Sequence, residues 1–146
     1  MTIATEVKRV VELGTGSTST FYFNAPVDLV DDLEVYTFDT VAGTGQKQTR
    51  GGSGTYDYTT TLNASTKYAT ISLNTVLPST FRIIIVRKIA ITQQVDYVEG
   101  DPFPAETHEG ALDKLTLVAT MLSEQIDRSL KVAITSATVS SIEISE

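Results

Sequence analysis

Apolar and polar positions alternate along the first hundred residues and then change period. Val7, Val11 and Leu13 share one side of an extended segment, and Gly14-Thr15-Gly16-Ser17 supplies a turn. Thr20-Phe21-Tyr22-Phe23 follows, built from aromatic and β-branched residues that suit a pleated, half-buried surface. Leu33-Glu34-Val35-Tyr36-Thr37-Phe38 reads as a further strand after the acidic turn Asp31-Asp32. Residues 42–54 hold no large apolar side chain and predict a mobile loop, after which Tyr56-Asp57-Tyr58 resumes the strand signal. Ala69, Ile71 and Leu73 alternate with Thr70 and Ser72, a strand with one face buried and one wet.

Phe81-Arg82-Ile83-Ile84-Ile85-Val86-Arg87 is apolar on both sides. Phe81, Ile83 and Ile85 point one way and Ile84 and Val86 the other, so both faces require an apolar cover. A downstream helix or a neighbouring subunit is expected to give the second one.

Asp101-Pro102-Phe103-Pro104 ends the strand region, since proline donates nothing to a ladder but is tolerated where a helix starts. Over residues 105–130 the period becomes helical, with Ala111, Leu112, Leu115, Val118, Ala119, Leu122 and Ile126 forming one apolar stripe. Glu106 and Glu109 lie near the positive end of the helix dipole, and Glu124–Arg128 and Asp127–Lys131 are spaced for i,i+4 pairs. Such a helix is about 39 Å long at 1.5 Å per residue. Alternation returns in Lys131-Val132-Ala133-Ile134 and Ile142-Glu143-Ile144, and no internal repeat is evident. The expected fold is α+β, an antiparallel β-sandwich or barrel-like sheet domain followed by one long amphipathic helix. The domain spans 1–132, and 133–146 forms a linker or the start of a following segment.

A chain of 146 residues suits one domain and buries roughly 68–70% of its unfolded surface, so the core needs no staple. Cysteine is absent, which removes disulfides, thiolate nucleophiles and cysteine zinc sites and fits synthesis in a reducing cytoplasm. Met1-Thr2-Ile3-Ala4-Thr5-Glu6 has no basic segment leading into an apolar run, so no signal peptide is expected. No stretch approaches the roughly 20 apolar residues of a spanning helix, and no membrane insertion is expected. The formal charge of −7 repels phosphate backbones and argues against nucleic acid as a partner, while serving solubility as well.

Candidate chemistry is sparse. The single histidine, His108, would have to be the base of any Ser-His-Asp arrangement, and with Glu109 and Asp113 it is a conceivable metal ligand. Its plain reading is a solvated histidine at the start of a helix. Glu109 and Asp113 lie one helical turn apart, whereas glycosidase carboxylates flank a cleft built from different elements. The glycines of 43–54 lack the Gly-Lys-Ser/Thr ending of a phosphate loop and no helix follows them. Six tyrosines, Tyr36, Tyr56, Tyr58 and Tyr68 with Tyr22 and Tyr97, permit a carbohydrate-binding alternative, although tryptophan is absent and strand tyrosines commonly serve packing. No enzyme activity and no cofactor is expected.

The ordered motifs resemble one family. Gly14-Thr15-Gly16-Ser17-Thr18-Ser19-Thr20-Phe21-Tyr22-Phe23, Leu33-Glu34-Val35-Tyr36, Ile83-Ile84-Ile85-Val86-Arg87 and Gln93-Gln94-Val95-Asp96-Tyr97 occur in its order. Phe103-Pro104-Ala105, Glu109, Ala111-Leu112-Asp113-Lys114-Leu115 and Arg128-Ser129-Leu130-Lys131-Val132 complete the series. Over residues 10–132 the chain is similar to the N-terminal head-binding, particle-anchoring domain of tail fibres and tailspikes of short-tailed bacteriophages, most specifically over 83–132. It departs in the long Gly-rich loop at 42–54, and in Pro78-Ser79-Thr80, where the family often carries a glycine after the proline. The resemblance implies a virion structural protein made in the bacterial host cytoplasm and located in the viral tail. It further implies a homotrimer docked on tail or portal-proximal proteins. The receptor-binding or depolymerase part would lie further along a longer chain, or on a second tailspike received by a short adaptor.

Two groups of residues follow. Arg87, Gln93, Gln94, Asp96, Tyr97, Glu109, Asp113 and Arg128 are expected to form or brace the partner-docking surface, with an ion network joining helix to sheet as the competing reading of the charged members. Leu115, Val118, Leu122, Gln125, Ile126 and Ser129 are expected at the oligomer interface. The wide side of the stripe is expected to cover Ile84 and Val86 within the subunit, leaving trimer contacts to its C-terminal half.

Overall fold

A computed structural model describes residues 7–92 and 104–129. Seven strands, β1 (Arg9–Leu13), β2 (Thr20–Phe23), β3 (Leu33–Asp39), β4 (Thr44–Lys47), β5 (Tyr58–Leu62), β6 (Ala69–Leu73) and β7 (Phe81–Arg87), precede the helix α1 (Ala105–Asp127). Two wholly antiparallel sheets form, ordered β1-β7-β3-β4 and β2-β6-β5. The fold class is therefore α+β, as the change of hydrophobic period predicts.

The inner faces of the two sheets meet. Phe21, Phe23, Ile71 and Leu73 from one sheet pack against Leu33, Val35, Ile83 and Ile85 from the other, and all are buried. Alternation fixes the register: Val35 pairs with Ile85 on the buried side while Tyr36 pairs with Ile84 on the opposite side. The double-sided β7 gains only half of the second cover its sequence calls for, because Ile84 and Val86 remain half-buried.

The Gly-rich segment differs from the expected loop. Thr44–Lys47 forms a short exposed strand on the edge of β3, with Gly43 at φ 69° in the turn before it. The remainder is organised by Asp57, whose carboxylate accepts the amides of Thr49 and Gly54, both at 2.7 Å. Asn74 adds bonds to the carbonyls of Gly52 and Gly54. Backbone-to-side-chain bonds supply here the order that apolar burial does not.

Helix α1 is docked by a face other than the predicted stripe. Leu117 and Met121 are buried with Ile89 in a second small cluster, flanked by Val118, and the Ile89 amide lies 3.2 Å from the Met121 sulfur. Lys114 donates to the Thr92 carbonyl at 2.7 Å, and Asp127 pairs with Lys8 at 2.8 Å. The stripe side is consequently outward: Leu112, Leu115, Leu122 and Ile126 are 51, 65, 40 and 57% exposed. It does not cover Ile84 and Val86. The helix ends at Asp127, before the expected 130, with Arg128 as its cap.

Candidate docking site at the sheet–helix junction

The last turn of α1 lies over the outer face of the four-stranded sheet and leaves a cavity of about 320 Å³ between them. Its floor is the half-buried outer row Tyr36, Ile84 and Val86, brought side by side by the β3–β7 register. Arg9 enters from β1, Lys88 from the end of β7, and Gln125 and Arg128 from the helix. Glu34 closes the side next to β4.

Two carboxylates stand at the cavity: Glu34 lines it, and Glu124, beside it, holds Arg128 and Arg9. Glu124 is only 5% exposed, although it stands in a helix of an acidic chain. It accepts Nε and Nη2 of Arg128 at 2.6 and 2.8 Å, a two-point fork of the i,i+4 kind, and Arg9 Nη1 lies 3.8 Å away. The bond to Glu124 raises the Arg128 pKa above its ordinary value. Glu34 accepts Lys47 Nζ at 2.6 Å and the Tyr36 hydroxyl at 2.8 Å. Burial pushes the Glu34 carboxyl up, but those two hydrogen bonds outweigh it and its pKa falls below 4.5. The same contact raises the Tyr36 phenol.

Of the eight residues predicted for the docking surface, Arg87 and Arg128 border this cavity. Arg87 turns its guanidinium away from it, into the sandwich, where Nη1 donates to the Pro26 carbonyl at 2.6 Å. Burial lowers its pKa to about 10, with Asp32 opposing the shift, and it stays ionised at neutral pH. Glu109 and Asp113 stand toward the far end of the helix, with Glu109 exposed and Asp113 half-buried. Arg128 thus pairs with Glu124, not with either of them. Gln93, Gln94, Asp96 and Tyr97 lie outside the described residues, as do Lys131 and the segment 133–146.

The predicted oligomer residues also divide. Leu115, Leu122 and Ile126 face outward, Ser129 is exposed, Val118 turns toward the Ile89 cluster, and Gln125 borders the cavity. Reasoning on the stripe misses Leu117, Met121 and Glu124, which do the docking. Their signal is a second row, Lys114, Leu117, Met121 and Glu124, at steps of three, four and three.

His108 is exposed in the first turn of the helix, and its amide donates to the Pro104 carbonyl at 3.1 Å. Among the described residues no three histidine, aspartate or glutamate side chains gather to hold a metal ion, and no helix is long and apolar enough to cross a membrane.

No protein-family model matches the chain. A tail spike protein of Salmonella phage epsilon15 is 31% identical to it over 131 residues, which is 90% of this chain. The chain is related to a phage tail protein. It spans 12% of that relative's length, so the similarity concerns one module of a much larger protein.

Proposed function

We propose that the chain is a non-catalytic attachment module of a phage tail, docking a tail fibre or tailspike to the virion and beginning its trimerisation. The observation that carries this reading is the similarity to a tail spike protein, which runs through nearly all of this chain and through only an eighth or so of the relative. A module shared in that way is suited to a task separate from the rest of the relative. Attachment is such a task, and it leaves receptor binding or glycan cleavage to another part of a longer chain or to a second protein.

The outward helix row supports the trimerising part. Leu112, Leu115, Ala119, Leu122 and Ile126 recur at steps of three and four, the spacing of a coiled-coil seam. An exposed row of this kind is costly in water and gains by being covered. The flanking Thr116, Val118, Ser123 and Gln125 carry no charge, so copies of a chain with charge −7 can approach along this row without like-charge repulsion at its edges.

The test is a mass measurement by light scattering together with attachment of the labelled chain to phage particles lacking it. Three times the chain mass and saturable attachment are expected. A monomer at tens of micromolar overturns the trimer, and absence of attachment overturns the docking role.

A further inference from the structure

Among the described residues, the cavity under the helix end holds more cations than carboxylates. Arg9, Lys88, Arg128 and the adjoining Lys47 face two carboxylates, Glu34 and Glu124. Glu34 is occupied by Lys47 and Tyr36, and Glu124 by the fork of Arg128. Lys8 and Asp127 pair with each other alongside. Arg9 is left 3.8 Å from Glu124 with 48% of its side chain in solvent. Among the described residues the Lys88 ammonium makes no hydrogen bond or ion pair, and Glu34 senses it only at longer range.

A surplus of positive charge on a chain of net charge −7 is a local arrangement, not the trend of the surface. The floor beneath it, Ile84 and Val86, is apolar and incompletely covered. At about 320 Å³ the space is at the small end for ligand pockets and suits one or two side chains of a larger partner.

We propose that this cavity seats an acidic–apolar segment of a partner protein. An Asp or Glu carboxylate bonds to Arg9 and Lys88 at the rim, and a neighbouring aliphatic side chain settles on Ile84 and Val86. The inference rests on the docking role proposed for the chain and specifies the chemistry of what docks. Extended polyanions are disfavoured because the overall charge repels them while the cationic rim is small. Complementary charge at such a rim chiefly sets encounter rate and partner choice, and the apolar contact holds the segment once seated.

The test is an array of short immobilised peptides with Glu-Leu, Asp-Ile or Glu-Phe cores beside Gln and Asn counterparts. It is probed with the labelled whole chain and with Arg9→Glu/Lys88→Glu. Binding to the acidic peptides is expected to weaken about tenfold or more in the amide counterparts, in the double variant and at high salt. Because Arg9 also faces the buried Glu124, Lys88→Glu alone is measured too; its melting temperature is expected to be unchanged and its peptide binding reduced. Equal binding of the amide peptides, or full binding by both variants, overturns the proposal, as does preference for heparin over every peptide. Particle attachment measured in parallel reports on docking separately. Attachment unaffected by the charge reversals upholds docking and overturns the carboxylate seat, whereas a wild-type chain that selects acidic peptides yet ignores particles upholds the seat and overturns docking.

Discussion

The guanidinium carbon of Arg87 stands 4.9 Å from the centre of the Phe23 ring, inside the sandwich, and one hydrogen bond to the Pro26 carbonyl holds it there. Its Nε and Nη2 are buried without hydrogen-bond partners. The aromatic face offsets part of the cost of burying the charge, and the two orphaned donors add to it.

An apolar side chain of similar length should therefore serve as well. Arg87→Met is expected to unfold in urea within about 1 kcal/mol of the wild type, because it removes the buried charge and keeps contact with Phe23. Arg87→Ala leaves a cavity over that ring and should cost about 2–4 kcal/mol. A severe loss in Arg87→Met would show that the cation itself is needed.

Glu34 makes stability depend on acid. Its pKa is lowered in the folded state, so its contribution is complete above the unfolded value near 4.5 and disappears as pH falls through the lower folded value. The stability gap between wild type and Glu34→Gln should be constant above about pH 5.5 and shrink below about pH 4.5. Urea titrations across that range measure it, and a gap independent of pH would contradict the bonds from Lys47 and Tyr36.

Two glycines have opposite prospects. A methyl group on buried Gly14 would run into the carbonyl oxygens of Leu77 and Pro78, both backbone atoms. Gly14→Ala should cost about 1–3 kcal/mol or more. Gly110 lies within the helix with open space where a methyl would go. Gly110→Ala should stabilise by about 0.5–1 kcal/mol, and thermal melts of both variants check the pair.

The two helix rows can be separated by mutation. Leu122→Ala/Ile126→Ala removes outward side chains, so the folded subunit should change by no more than about 0.5 kcal/mol per site while the proposed trimer should dissociate. Leu117→Ala/Met121→Ala empties the Ile89 cluster and should release the helix, with the sandwich still melting cooperatively. Light scattering and circular dichroism distinguish these results.

Strand β6 was legible because a period of two and a sandwich core demand the same residues, and β7 because its run of apolar residues exceeds what a loop carries. Strand β4 was not, since Thr44-Gly45-Gln46-Lys47 is exposed and owes its place to pairing with β3. The helix was legible in type and start, but its docking face was hidden. The outward row is apolar at every step, whereas half of the inward row is Lys114 and Glu124, whose apolar stems and polar contacts carry no hydrophobic signal. Arg128 could be recognised as pairing with Glu124 from spacing alone, whereas Arg9 could not, because more than a hundred residues separate it from its partner.

The pairs Lys8–Asp127 and Arg9–Glu124 also determine how tension would travel. A tug applied at Asp127 would reach first the beginning of β1, which among the described residues is an edge strand paired with β7. The Ile89 clasp is small and the ion pairs of the helix end to Lys8 and Arg9 are partly in water, so the helix should yield before the strands do. Under such a load the helix would swing while the sandwich keeps its shape.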